Sequence, residues 1–129
     1  MGVENLLQKS EDNFKTASWA ERNNLYDAAV SRYYYSLYEK IIYISKKKGF
    51  YTKPPSGQDS HVFTINEFTN NLLSSLPPQE VAKLSPMFKL KRLRVDADYN
   101  EDRIDNKNEF NLAFKFYFNS INEVLDKLV

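Results

Sequence analysis

The chain of 129 residues has no cysteine and a single histidine, His61. Disulfides, thiolate zinc sites and a cysteine nucleophile are therefore excluded. One imidazole without thiolates is also too few soft ligands for a transition-metal centre, so no metal is expected. Only three glycines and five prolines occur, and none forms a glycine loop that would cradle a phosphate. Neither paired metal carboxylates nor a serine triad is visible, and no cofactor is expected. No apolar run approaches the roughly 20 residues that a bilayer crossing requires. The opening MGVENLLQKSEDNFK lacks the basic-then-apolar order of a signal peptide, so the expectation is a cytoplasmic protein with no membrane association. Charge of one sign is missing too: 18 Lys and Arg stand against 17 Asp and Glu, a net +1. Any attraction to a polyanion must then come from local clusters.

What the chain does have is aromatic and helical. Aromatics make up 15% of it, with nine Tyr and nine Phe. Its length fits one domain, residues 1–129, large enough to bury a core without a staple. Glycine and proline gather in KKKGFYTKPPSGQDS (46–60) and SSLPPQE (74–80), and the polar run YNEDRIDNKNE (99–109) makes a third break. Between the breaks the apolar spacing is helical. Phe110, Phe114, Tyr117, Ile121, Val124 and Leu128 step four, three, four, three, four and are expected in the core. Val30, Tyr34, Leu37, Ile41 and Ile44 form a stripe on a second helix whose other faces carry Tyr33, Tyr35, Tyr38 and Ile42, so that helix should be covered nearly all round. Val3, Leu7, Phe14 and Ala17 mark a weaker first helix, and Val62, Ile65, Phe68, Leu72 and Leu76 a third. Ser85 followed by Pro86 reads as an N-cap and first helical residue of a fourth. With no credible strand and no repeat at a fixed period, the prediction is an all-α bundle of four to five helices.

The fourth segment, KLKRLRVDADYNEDRID (89–105), poses a problem. Four cations within Lys89–Arg94 precede five acids within Asp96–Asp105, an order that opposes the helix dipole. On a wheel of 100° per residue, Met87, Leu90, Leu93 and Ala97 face inward, with Arg94 and Asp98 at the edge of that arc, one turn apart. Arg92 and Asp96 form a second i,i+4 pair on the opposite side, with Tyr99. An arginine beside apolar neighbours needs a partner, and its fork of donors suits a carboxylate or a phosphate. Two explanations of the charge order stand at this point. The cations bind a phosphate backbone while Asp98 orients Arg94; or the helix ends near Tyr99 and the later acids approach the N-terminus of the last helix, where they are favourable.

Taken together, AVSRYYYSLYEKIIYI (29–44), SHVF (60–63) and RVDADY (94–99) resemble a small bacterial branch of the HEPN superfamily, the helical domains named for higher-eukaryote and prokaryote nucleotide binding. The resemblance spans the chain from about Phe14 to the last helix. It implies an up-and-down bundle of four to five helices and a homodimer, with a polar site where the fourth helices of two protomers meet. Many members are metal-independent endoribonucleases of toxin–antitoxin pairs or phage-defence systems, carrying an Arg, a short spacer and a His on that helix. Others pair with a nucleotidyltransferase antitoxin, and some only bind. Arg94 matches the Arg, but Asp98, followed by Tyr99, stands where the His belongs.

Metal-free RNA cleavage needs a base for the 2′-hydroxyl, an acid for the leaving oxygen and a cation for the phosphorane. Arg94 supplies the cation, with Lys91 or Arg92 and the phenol of Tyr99 as further phosphate or RNA contacts and Arg32 as a contact across the site. An aspartate, with a reference pKa of about 3.9, is a poor acid at neutral pH. A histidine titrates near 6.5, so His61 replaces the missing group if the fold brings it to Arg94. The candidate catalytic set is thus Arg94, Asp98 and His61. Two functions follow: an RNA-targeting HEPN-type protein, or a non-catalytic module in which the same helix docks a nucleotidyltransferase, another protein or a nucleotide. Lys46, Lys47 and Lys48 complement the dipole at the end of the second helix. Tyr33, Tyr34, Tyr35 and Tyr38 suit base stacking, a dimer interface or a core.

Overall fold

The computed structural model describes residues 2–101 and 103–129, so Asp102, one of the acids after the fourth segment, lies outside it. Among the described residues all regular structure is helical, the all-α bundle expected. In chain order the elements are α1 (Gly2–Arg22), α2 (Tyr26–Lys47), α3 (Ser60–Leu72), the short α4 (Pro78–Ala82) and α5 (Met87–Tyr99). A continuous rod follows: α6 (Lys107–Phe110), a π-helical turn (Asn111–Lys115) and α7 (Phe116–Leu128). No described helix is long and apolar enough to cross a membrane.

Helix α2 is the axis of the bundle, as its all-round apolar pattern requires. Ser10 bonds to the Ser36 carbonyl and Ser18 to the Tyr33 hydroxyl, so α1 lies antiparallel beside it. Arg94 meets Tyr34 and Tyr35 while Asp98 meets Ser31, which makes α5 antiparallel as well. Tyr26 packs on Phe110, Tyr33 on Phe118, and Lys40 bonds to Asn122 and Asp126, so the final rod runs parallel to α2. Tyr33, Tyr34, Leu37, Ile41 and Ile44 are fully enclosed by these neighbours.

Both ends of the α2 connections stop by the same device. After α1, Leu25 N–H returns to the Ala20 carbonyl and Asn24 N–H to that of Glu21, with Asn24 at φ 61°. After α2, Phe50 and Gly49 return to Ser45 and Lys46, with Gly49 at φ 81°. A left-handed residue just past the helix satisfies carbonyls that would otherwise be orphaned, and Gly or Asn takes that conformation most cheaply. Phe50 is thereby turned onto Phe68.

The structure corrects four expectations. The last core face is not the one that α-helical spacing gives: Phe110 and Phe114 are buried, but Phe118 and Leu125 take the places of Tyr117 and Leu128 beside Ile121 and Val124. The π turn is the cause, since Phe116 N–H reaches back to the Asn111 carbonyl and the extra residue turns the faces that follow, exchanging Tyr117 for Phe118 and Leu128 for Leu125 while Ile121 and Val124 stay inside. Helix α3 stops at Leu72, four residues short, and Leu76 regains the core through a turn before Pro77 and Pro78. The break at 74–80 holds the start of α4, with Pro78 in its first turn. Finally, Ser85 is no cap. Its N–H closes the turn after α4 onto Ala82, and Pro86 itself sits in the cap position of α5 without a side-chain bond.

Candidate functional site

Arg94 is the only charged residue among those buried in the described structure, 8% exposed in the company of Met87 and Leu90. The wheel placed it at the edge of the apolar arc; it lies deeper than Leu93 and Ala97, which are only half-buried. Two tyrosines of α2 make this possible. The guanidinium carbon lies 5.3 Å from the Tyr35 ring centre and 5.7 Å from that of Tyr34, within the range at which an aromatic face attracts a cation. Its ionic partner is Asp98, one turn on, at a long 3.3 Å from one terminal nitrogen. The same Asp98 oxygen receives Ser31 Oγ at 3.4 Å, a bond from α2 to α5. The Arg94 Nε is buried with no hydrogen-bond partner. Guanidinium groups in protein interiors ordinarily have such donors satisfied.

His61 opens α3 and reaches the same two rings. Its ring lies 5.7 Å from Tyr34 and 6.0 Å from Tyr35, and it stacks on Tyr38 at 4.0 Å with planes only 7° apart. Nδ1 is 2.8 Å from the Tyr34 hydroxyl. Burial lowers the imidazole's pKa below its usual value, and the positive charges of Arg94 and Lys91 push the same way against Asp59. The imidazole is consequently neutral at pH 7. Burial holds the Tyr34 phenol firmly protonated, so that hydroxyl donates, Nδ1 accepts, and the histidine's own proton resides on Nε2. Nε2 makes no hydrogen bond among the described residues.

Asp59 ties this helix to α5. One oxygen caps α3, accepting the N–H groups of His61 and Val62 at 3.0 Å each, and the other holds Lys91 Nζ at 2.8 Å. The Lys91 ammonium, followed by the two backbone donors, keeps the Asp59 carboxyl below the ordinary carboxylate range. Asp59 and Ser31 are not among the residues expected at the site from sequence. Asp59 carried a usable signal, an Asp immediately before an apolar-periodic segment, which is the mark of an N-cap.

Four candidates therefore converge: Arg94, Asp98, His61 and Lys91. Three do not. Arg32 is exposed and donates to Asn13 of α1 at 3.2 Å, away from the tyrosine face, because it follows Ser31 by 100° around α2. Arg92 is exposed and forms no ion pair among the described residues; its expected partner Asp96 accepts the side chain of Asn100 instead. Tyr99 is 77% exposed at the end of α5. The helix does end there, with Asn100 extended. Of its early cations, Lys89 lies 4.3 Å over the Tyr117 ring and Lys91 meets Asp59, so local partners offset the unfavourable dipole. The remaining tyrosines behave as core: Tyr33 is enclosed among Phe110, Phe114 and Phe118. Lys46 and Lys47 lie over the rings of Tyr51 and Tyr43. Among the described residues no group of three or more His, Cys, Asp or Glu is placed to hold a metal ion.

Chemically, the cluster sets two groups beside one aromatic box: a sheltered cation whose Nε is buried without a partner, and a neutral imidazole with its proton on the unengaged nitrogen. No family model, no curated protein and no solved structure matches the chain.

Proposed function

We propose that this is an RNA-targeting protein of HEPN type, serving a toxin–antitoxin or phage-defence system, in which Arg94 takes a backbone phosphate with help from His61 and Lys91. The observation that carries the reading is Arg94 itself. A guanidinium buried among tyrosines, with Nε unpartnered and only a 3.3 Å contact to its carboxylate, is poorly served by its own fold and well suited to a phosphate, whose oxygens accept from a planar fork of donors. Of the two rings beside it Tyr34 is enclosed, and the partly exposed Tyr35 is the one left to meet an adjacent base. A homodimer belongs to this reading, its partner seated on the outer surface of α5 where Arg92 and Tyr99 are exposed.

Cleavage by this site would use Arg94 for the phosphorane charge, the Asp98 carboxylate to take the 2′-hydroxyl proton and His61 to give a proton to the leaving 5′-oxygen. In its resting tautomer His61 is a donor and not a base, and it becomes an effective acid only as imidazolium, below its lowered pKa. Metal-independent cleavage should thus strengthen as pH falls below about 6.5. The experiment is incubation of single-stranded RNA with the protein in EDTA from pH 5 to 8. Cutting on the acid side, lost in Arg94→Ala and His61→Ala variants that remain folded, is the expected outcome. RNA that stays uncut at high protein concentration across that range removes the ribonuclease.

Two observations favour a second reading, a non-catalytic module. His61 Nδ1 is already engaged by Tyr34, and Asp98 occupies the family's histidine position. In that case RNA, a nucleotide or a nucleotidyltransferase partner is retained by the same face without being cut. Arg94→Ala then weakens retention, and for RNA lowers the salt slope of binding by about one.

A further inference from the structure

Away from the phosphate site, on the side of α2 that faces α1 and α7, lies a half-open cavity of about 340 Å³. That is within the size range of small-molecule sites and equals roughly ten waters' share of liquid volume. Its wall is apolar, formed by Leu7, Phe14 and Val129. Phe14 packs edge-on against Tyr33 and next to Phe118, yet 40% of it remains exposed, and the cavity is where it opens.

Lys40 stands in the same cavity with its side chain only 12% exposed. Its ammonium gives one proton to Asn122 and one to Asp126, each at 2.7 Å. An ammonium has three donors, and the third has no acceptor among the described residues. Asp126 is 60% exposed, so water shares its charge and it neutralises Lys40 incompletely from within the cavity. Glu11 and Lys15, both exposed, also line it with opposite charges. The other polar groups present are spent, since Ser10 donates to the Ser36 carbonyl and Ser36 to that of Tyr33. What remains is an apolar wall and one cationic donor.

We propose that this cavity binds a small monocarboxylate with an unbranched apolar tail, its head on the third proton of Lys40 and its tail along Leu7 and Phe14. The inference is independent of the RNA site.

The test is titration of the full-length ¹⁵N-labelled protein with acetate, butyrate, hexanoate, octanoate and octylamine, followed by amide shifts. Saturable shifts centred on Leu7, Ser10, Lys40 and Asn122 are expected, with binding tightening roughly tenfold for each two methylenes until the cavity is filled. Octylamine should not bind. Lys40→Met should weaken octanoate at least tenfold, and Asp126→Asn, which keeps the lysine and removes its competitor, should tighten it several-fold. Because Asp126→Asn preserves the Lys40 cation, it decides the matter even if Lys40→Met folds poorly. Absence of saturable octanoate binding, equal binding of octylamine, or no response to Asp126→Asn would each overturn the proposal.

Discussion

Replacing Arg94 with methionine separates a residue kept for a ligand from one kept for the fold. Three contributions set the magnitude. The buried, unpartnered Nε costs roughly 1–3 kcal/mol in the native state. Against it, the 3.3 Å contact to Asp98, whose side chain is 29% exposed, contributes at most about 1 kcal/mol. The two ring contacts at 5.3 and 5.7 Å add about 0.5–1 kcal/mol each. Methionine recovers part of the ring contact through its thioether and removes the desolvated charge. The expected result is a protein between unchanged and about 2 kcal/mol more stable, measured by urea unfolding followed by circular dichroism with an unaltered m-value. The melting temperature would rise by a few degrees. RNA retention should weaken in the same variant. A loss of more than about 2 kcal/mol would refute the reasoning, because Arg94 would then be holding α5 to α2 rather than waiting for an anion.

Other consequences are equally accessible. The sole imidazole should titrate by NMR with a midpoint below about 6.5, the unfolded value; since the unfolded chain then binds more protons, the stability His61 allows is complete above that pH and declines as pH falls toward the folded pKa. A midpoint at or above 6.5 contradicts the burial and the Arg94 field, and His61→Gln should flatten the decline. Phe118→Ala should cost about 3–5 kcal/mol, clearly more than Tyr117→Ala, in thermal or urea unfolding; the reverse order would mean that the π turn is absent. Asp59→Ala should lose about 0.5–2 kcal/mol from the α3 cap, while Asp59→Ser, which keeps a capping oxygen and drops the Lys91 pair, should recover most of it.

How far the sequence foretold this can be judged from particular residues. The bundle, the central tyrosine helix and the stop at Tyr99 follow from apolar spacing and breaker residues, because burial of one face is what organises each helix. Spacing failed where the backbone departs from 3.6 residues per turn. Nothing in NLAFK signals a π turn, so Tyr117 was placed where Phe118 belongs. Ser85–Pro86 failed for a different reason: the local cap signal competed with the tail of α4, which no periodicity announced. In the site, Arg94 with Asp98 was legible as an i,i+4 pair. That His61 meets the rings flanking Arg94 was not, because the contact depends on how α3 docks against α2, a tertiary fact. Arg32 illustrates the converse: its neighbours in sequence, Ser31 and Tyr34, face α5, but one step along a helix turns the side chain onto α1.

The π turn at Asn111–Lys115 also governs what lies beyond it. Removing one residue of that segment would restore the ordinary helix and leave α7 facing as it does, whereas winding it as an ordinary helix at unchanged length would swing α7 by about 100° about its own axis. Tyr117 would be driven toward the interior and Phe118 toward water, and Asn122 and Asp126 would swing away from the ammonium of Lys40. The winding of this one turn of backbone is therefore an indexing device: it decides which side of the final rod seals the protein and which side furnishes the groove beside α1.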